Sequence, residues 1–93
     1  MNTTQAECIA LNVLEWMGRH SELLTQFINQ TGVSLVTITH DAHQPELLAA
    51  VLDFLLTQND HTISDCCQSL NIKPEILVKA RMPLPGGAEF HWT

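Results

Sequence analysis

The stretch that decides the fold is PELLAAVLDFLLT, residues 45–57. Nine of its thirteen residues are apolar. At the helical spacing of 100° per residue they cover more than half the circumference, and Glu46, Asp53 and Thr57 share the polar strip that remains. A helix of this kind must be surrounded by other elements of the same protein. We therefore predict an all-α fold, a small bundle of five or six short helices around residues 45–57.

Composition and charge limit the class of protein. Ninety-three residues suffice for one domain with one hydrophobic core. Ten acidic and four basic residues give a net charge of −6, which argues against electrostatic binding to nucleic acid or to anionic lipid. The central helix spans about 20 Å, too short to cross a bilayer. The three cysteines form no even disulfide framework, and the first residues show no secretory signal. We expect a cytoplasmic protein without a membrane segment.

Local signals predict three helices before residue 45. Thr4-Gln5-Ala6-Glu7 has the capping-box pattern, which predicts a helix over about 5–17. A second helix begins at Ser21 and stops at Gly32, a residue that accepts the left-handed conformation. The segment SLVTITH, 34–40, has the β-branched residues of a strand, but no second strand is predicted to pair with it. We interpret it as a short helix capped by Ser34, an interpretation that leaves an extended alternative open.

The second half of the chain repeats this pattern. Pro45 fits the first turn of the central helix. A fifth helix over about 61–70 ends at Asn71, and a sixth begins at Pro74 and runs to about residue 81. Residues 24–35 align with 63–74 at an offset of 39, which supports the helical interpretation of 34–40.

The last eleven residues differ from the helical part. Pro83-Leu84-Pro85-Gly86-Gly87 predicts extended chain and a turn, so we divide the chain into a helical domain, 1–82, and an extended tail, 83–93, packed on it. Two large aromatic residues within the last four positions are unusual, because chain ends are mostly polar. We therefore predict a tail that docks on its own helices or binds a partner, through these residues: Pro85, Gly86, Gly87, Phe90, His91 and Trp92.

Three clusters of polar or reactive residues have alternative interpretations. His40 and His43 have the spacing of metal ligands but lie in a predicted loop, which favours a solvated loop over a metal site. Adjacent Cys66 and Cys67 lie on the apolar face of the fifth helix, where cysteine packs as a small hydrophobic residue. For Asp53 we favour a solvated polar strip over a buried carboxylate that meets a cation.

The segment 62–81 has the general pattern of a helix-turn-helix, with a recognition helix that would start near Pro74. Three of the four basic residues, Lys73, Lys79 and Arg81, lie in it. Asp60, Asp65 and Glu75 equal them in number, so residues 60–81 carry no net charge and the phosphate-neutralising contribution to DNA affinity is nearly absent. A DNA-binding regulator is therefore the alternative function and not the first choice.

Several motifs together resemble a family of small bacterial proteins to which no function is assigned. They are the Thr31-Gly32 helix stop, VLDFLL at 51–56, Leu84-Pro85-Gly86-Gly87 and the closing His91-Trp92-Thr93. The likeness covers most of the chain, although a proline-containing helix start is expected at 34–36 and is missing here. The resemblance implies a helical fold and supplies no activity, cofactor or catalytic residue.

No pattern of a catalytic triad, a phosphate-binding loop or paired carboxylates occurs in the sequence. We therefore expect no catalytic residue, no cofactor, no metal and no small-molecule ligand. The function that the sequence favours is a small protein-interaction or structural module, which acts through a protein partner or by self-association. Neither the partner nor the oligomeric state follows from these residues.

Overall fold

The structure, a computed structural model, describes residues 1–85. Six α-helices and no strand occur in that range: α1 Thr3–Gly18, α2 Ser21–Thr31, α3 Leu35–His40, α4 Pro45–Leu56, α5 Asp60–Leu70 and α6 Pro74–Arg81. The Cα radius of gyration is 12.3 Å, close to the value of about 12 Å expected for one domain of this length. The prediction of an all-α bundle is confirmed, and residues 34–40 are helical rather than extended.

The centre of the bundle is shared by two helices. Seven residues of α4 are buried, more than in any other described helix: Leu47, Leu48, Ala49, Val51, Leu52, Phe54 and Leu55. α4 packs against α1, α2 and α6, whereas α1 packs against α2, α4, α5 and α6. The apolar residues around most of the circumference of α4 therefore explain its burial. α5, in contrast, packs mainly on α1 and α6 rather than on α4. α3 has a single buried residue, Ile38.

Local capping explains where most helices begin and end. α2 ends at Gly32, whose φ of 74° is left-handed, and α5 ends at Asn71, whose φ is 58°. Ser34 accepts a hydrogen bond from the Thr37 amide at 3.1 Å and so caps α3 as predicted. Pro45 lies in the first turn of α4, where the missing amide proton costs nothing.

The predicted start of α1 was wrong. The helix begins at Thr3, and its N-cap is Asn2 rather than Thr4. Asn2 Oδ1 accepts from the Gln5 amide at 2.8 Å, while Gln5 Oε1 accepts from the Asn2 amide at 3.2 Å. This box has the same spacing as the predicted one, two residues earlier, and Asn is as good a cap as Thr. Because α1 begins earlier than predicted, Thr4 and Gln5 are part of the helix and lie exposed on the surface of the bundle.

Candidate functional site

The described part of the chain has no constellation typical of a catalytic centre. No group of three or more His, Cys, Asp or Glu side chains in residues 1–85 is arranged to hold a metal ion. His40 ends α3 and His43 lies in the loop before α4, and both are exposed. None of the described helices combines the length and the apolar character that crossing a membrane requires.

Asp53 interacts with a cation, which was the less favoured of its two interpretations. Arg81 Nε donates to Asp53 Oδ1, and Arg81 Nη2 donates to Asp53 Oδ2 at 3.2 Å. The Arg81 side chain is 10% exposed and that of Asp53 is 48% exposed. Asp53 therefore combines features of both interpretations: its carboxylate stays half exposed, as a solvated strip requires, and it also meets a cation because the bundle brings the end of α6 against the polar side of α4.

The same arginine attaches the turn that follows α6. Arg81 Nη1 donates to the Leu84 carbonyl oxygen at 3.3 Å, and the Leu84 side chain is only 2% exposed. Pro85, the one candidate docking residue of the tail that the structure describes, is exposed next to it. Gly86, Gly87, Phe90, His91 and Trp92 lie outside the described residues, so their docking stays a prediction. The chain thus leaves the bundle from a fixed point.

This pair also changes the proposed DNA-binding surface. Of the three basic residues in 62–81, Arg81 is buried against α4 and cannot contact a phosphate, whereas Lys73 and Lys79 remain exposed. Affinity for DNA depends on how many phosphates are neutralised. Two lysines beside an acidic first turn at Glu75 give little of that contribution, and no described feature favours a DNA-binding function.

The strongest candidate is a groove between the N-terminal half of α1 and the start of α6, which we name the α1–α6 groove. Its volume is about 810 Å³. Its lining combines partly buried isoleucines with polar and charged residues, namely Met1, Thr4, Gln5, Cys8, Ile9, Asn71, Ile72, Lys73, Glu75, Ile76 and Lys79.

Local sequence positions each side of this groove. On α1, Cys8 and Ile9 follow Thr4 and Gln5 by one helical turn, so the four side chains occupy one stretch of surface. On the other side, the left-handed Asn71 stops α5 and lets the Ile72 amide donate to the Cys67 carbonyl oxygen at 3.0 Å. That turn carries Ile72 back towards the bundle, where it packs at the edge of the core.

The groove differs from its surroundings in charge. Lys73 and Lys79 line it, and neither forms an ion pair with a carboxylate of residues 1–85. Glu75 is the single acidic residue of the lining. The protein as a whole has a net charge of −6, whereas the lining of this groove has two lysines against one glutamate. Such a lining fits an apolar segment that carries a negative charge.

The cysteines differ in their access to solvent. Cys8 is exposed and lines the α1–α6 groove. Cys66 and Cys67 are buried on α5, as predicted. Burial, with a smaller contribution from the neighbouring Cys67 thiol, raises the pKa of Cys66 to about 12, and burial also raises the pKa of Cys67. Thiols that stay protonated at neutral pH are poor nucleophiles, so these two residues have a packing role.

A second groove, of about 540 Å³, lies where α1, α2 and α5 meet. The His20 ring packs 4.3 Å from the Trp16 ring, and His20 Nδ1 lies 2.9 Å from the Trp16 carbonyl oxygen. The Trp16 indole nitrogen is buried without a hydrogen-bond partner among the described residues. Charged side chains of both signs line this groove, and Leu23 is one of the few apolar residues in it. It therefore offers less to an apolar segment than the α1–α6 groove does.

Three further exposed apolar residues were not singled out from the sequence. On α3, Leu35 and Val36 are 58% and 67% exposed, and on α6 Val78 is 53% exposed. Leu35 and Val36 would be read from the sequence as buried residues of a strand or helix, and only the packing of α3 through Ile38 shows that they face outward. None of the three lines either of the two grooves described above.

The comparisons with known proteins give a family and no relative of known function. Residues 3–87 match the model of a family described as protein of unknown function, DUF3572. No curated protein and no solved structure matches the chain. The expectation of a family without an assigned function is thereby confirmed, and its bacterial origin stays a prediction.

Proposed function

The chain belongs to the DUF3572 family, which has no assigned activity, and we propose from the geometry that it is a small protein-binding module without catalytic activity. The observation that carries this proposal is the α1–α6 groove, whose apolar side chains are ringed by polar and cationic ones. The partner it fits is a protein segment that presents one or two large apolar side chains next to an acidic residue.

The apolar part of the groove supplies the affinity in this proposal. Ile9 and Ile72 are partly buried and pack against the core, and Ile76 in the same lining is also partly buried, so a partner side chain placed between them extends a core that already exists. Burying a large apolar side chain contributes about 1.5–3 kcal/mol. Association also costs several kcal/mol in lost freedom, so one or two such anchors give only modest affinity. A regulatory or assembly contact is more consistent with these magnitudes than a permanent complex.

The cationic rim supplies the selectivity. Lys73 and Lys79 lie at the edge of the groove, where an acidic residue of the partner remains partly hydrated. Exposed charge pairs add little affinity, about 0–1 kcal/mol, but they favour partners of the complementary sign and raise the association rate. We therefore expect binding that weakens as the salt concentration rises, but that persists in part because of the apolar contacts.

We also propose a cytoplasmic location. Three cysteines occur in the described residues, all three are free, and two of them are adjacent and buried. Free thiols are typical of a reducing compartment.

Site-specific photo-crosslinking in cells that express the protein natively tests the proposed function. A photoreactive amino acid replaces Ile76 in the groove, and in a control protein it replaces Val36 on α3, which is exposed but lies outside the groove. We expect one protein to be crosslinked from position 76 and not from position 36. The purified partner should then bind the natural chain, and Ile72→Asp should abolish the binding while the helical circular dichroism is retained. A partner that binds Ile72→Asp as tightly as the natural chain would overturn the proposal.

A further inference from the structure

We propose that the chain's own residues 86–93 occupy the α1–α6 groove, and so compete with a partner for it. Such docking would regulate the proposed binding surface, and only the competition with a partner rests on the proposed function. The occupant is a segment of this same chain, which begins where the structure ends at Pro85. The arguments for it are the attachment point, the reach of the segment and the match in residue type and charge.

The attachment point lies within reach of the groove. Arg81 holds the turn that follows α6 by its bond to the Leu84 carbonyl oxygen, so the described chain ends at Pro85 beside the end of α6. Lys79 and Ile76, which line the groove, are two and five residues before Arg81 on the same helix. At 1.5 Å per residue, Ile76 is therefore only about 7.5 Å back along the axis.

The segment is long enough to cover that distance. Phe90 lies five residue steps beyond Pro85, an extended length of up to about 17 Å, and Trp92 lies seven steps beyond it, up to about 24 Å. The chain must reverse to run back along α6. Gly86 and Gly87 directly follow Pro85 in the sequence, and glycine permits the backbone conformations that such a change of direction requires.

The residue types are complementary to the groove. In an extended segment Phe90 and Trp92 lie on one side, while Glu89 and His91 lie on the other. The two aromatic side chains match the apolar lining at Ile9, Ile72 and Ile76, and the Glu89 carboxylate matches the rim formed by Lys73 and Lys79. This is the same combination of apolar anchors and one acidic residue that the groove requires of a partner.

The accessibility of Cys8 provides a direct test, because this exposed thiol lines the groove and the other two thiols are buried. The rate of labelling by a thiol reagent is measured under native conditions for the full chain and for a chain truncated after Pro85. We expect Cys8 to react about tenfold more slowly in the full chain, which corresponds to about 1.4 kcal/mol of docking free energy. Equal rates in the two chains would overturn the proposal.

Two controls separate docking from a general change in stability. In a Cys8→Ser background, Val36→Cys places an exposed thiol on α3, outside the groove, and its labelling rate should not depend on residues 86–93. If the truncated chain does not fold, the full-length variant Phe90→Ala, Trp92→Ala replaces it and should show the same faster labelling of Cys8. Acceleration at Val36→Cys of the same size would show general loosening and refute docking in the groove.

Protein concentration distinguishes the source of the segment. Protection of Cys8 that is independent of concentration indicates the chain's own residues, whereas protection that appears only as the concentration rises indicates a second copy and overturns the proposal. Competition is then measured with the crosslinked partner, which should bind the Phe90→Ala, Trp92→Ala variant about tenfold more tightly than the natural chain. Protection of Cys8 without any crosslinked partner would leave this inference standing and reject the proposed function. A partner that binds without any protection of Cys8 would support the proposed function and reject the docking of residues 86–93.

Discussion

The ion pair between α4 and α6 allows a quantitative test of how this bundle is held together. The perturbation is Asp53→Ala, which leaves the guanidinium of Arg81 without its carboxylate. The Arg81 side chain is 10% exposed, so water can hydrate the abandoned charge only in part. Removing one partner of a fully buried pair costs about 3–5 kcal/mol, whereas exposed pairs contribute about 0.2–1 kcal/mol.

The exposure of Asp53 sets the expected value between these limits. Its side chain is 48% exposed, so solvent replaces part of the lost interaction, and we expect a loss of about 2–3 kcal/mol in the free energy of unfolding. Arg81→Met should cost less, about 1 kcal/mol, because the remaining carboxylate can be hydrated and the main loss is the bond to the Leu84 carbonyl oxygen. Alanine has a higher helix propensity than aspartate, which offsets part of the expected loss in Asp53→Ala. The measured loss of stability is therefore smaller than the effect of breaking the ion pair alone.

Urea unfolding followed by circular dichroism measures both values, and Asp53→Ala should also lower Tm by roughly 10–20 °C. The matched control is Glu15→Ala, which breaks the Arg19–Glu15 pair whose side chains are 70% and 66% exposed. It should cost no more than about 0.5 kcal/mol. The loss of stability in the double variant Asp53→Ala, Arg81→Met should be smaller than the sum of the two single losses by at least about 1 kcal/mol. If Asp53→Ala costs no more than Glu15→Ala, or less than Arg81→Met, the reasoning from burial is refuted.

Three further outcomes follow from the described geometry. Gly32→Ala should lower the free energy of unfolding by about 1–2 kcal/mol, because the φ of Gly32 is +74°. Gly18 is helical and an added Cβ meets no neighbouring atom there, so Gly18→Ala should raise the free energy of unfolding by up to about 1 kcal/mol. Equal effects of the two variants in urea unfolding would contradict the role assigned to the left-handed stop. The pKa of Cys66 is raised from 9.0 to about 12 in the folded protein, so the unfolded chain loses this proton at lower pH. The free energy of unfolding should therefore fall by up to about 1.4 kcal/mol per pH unit above about pH 9, and less steeply in Cys66→Ala. An unchanged slope in that variant would show that other groups cause the fall. A gel shift at about 50 mM salt should show no retardation of duplex DNA at tens of micromolar protein, and retardation that Lys79→Glu removes would restore the DNA-binding alternative.

The sequence by itself determined where most helices begin and end. Gly32, Asn71, Pro45 and Pro74 each mark a boundary through a property of one residue, either access to the left-handed region or the missing amide proton. The apolar girth of residues 45–57 was sufficient to predict burial of α4, because no other arrangement hides so many side chains from water. The error at the start of α1 is also local, since two capping boxes overlap and the sequence ranks them almost equally.

Only the tertiary structure decided which faces meet, and the candidate site depends on that. Asp53 and Arg81 are 28 residues apart, and the sequence shows only that a carboxylate interrupts an apolar helix. The α1–α6 groove joins residues about 70 positions apart, from Cys8 to Lys79, and no local pattern relates them. Hydrophobic periodicity specifies that a face is buried, but burial is non-directional, so the neighbour that covers each face is chosen by the packing of all six helices together.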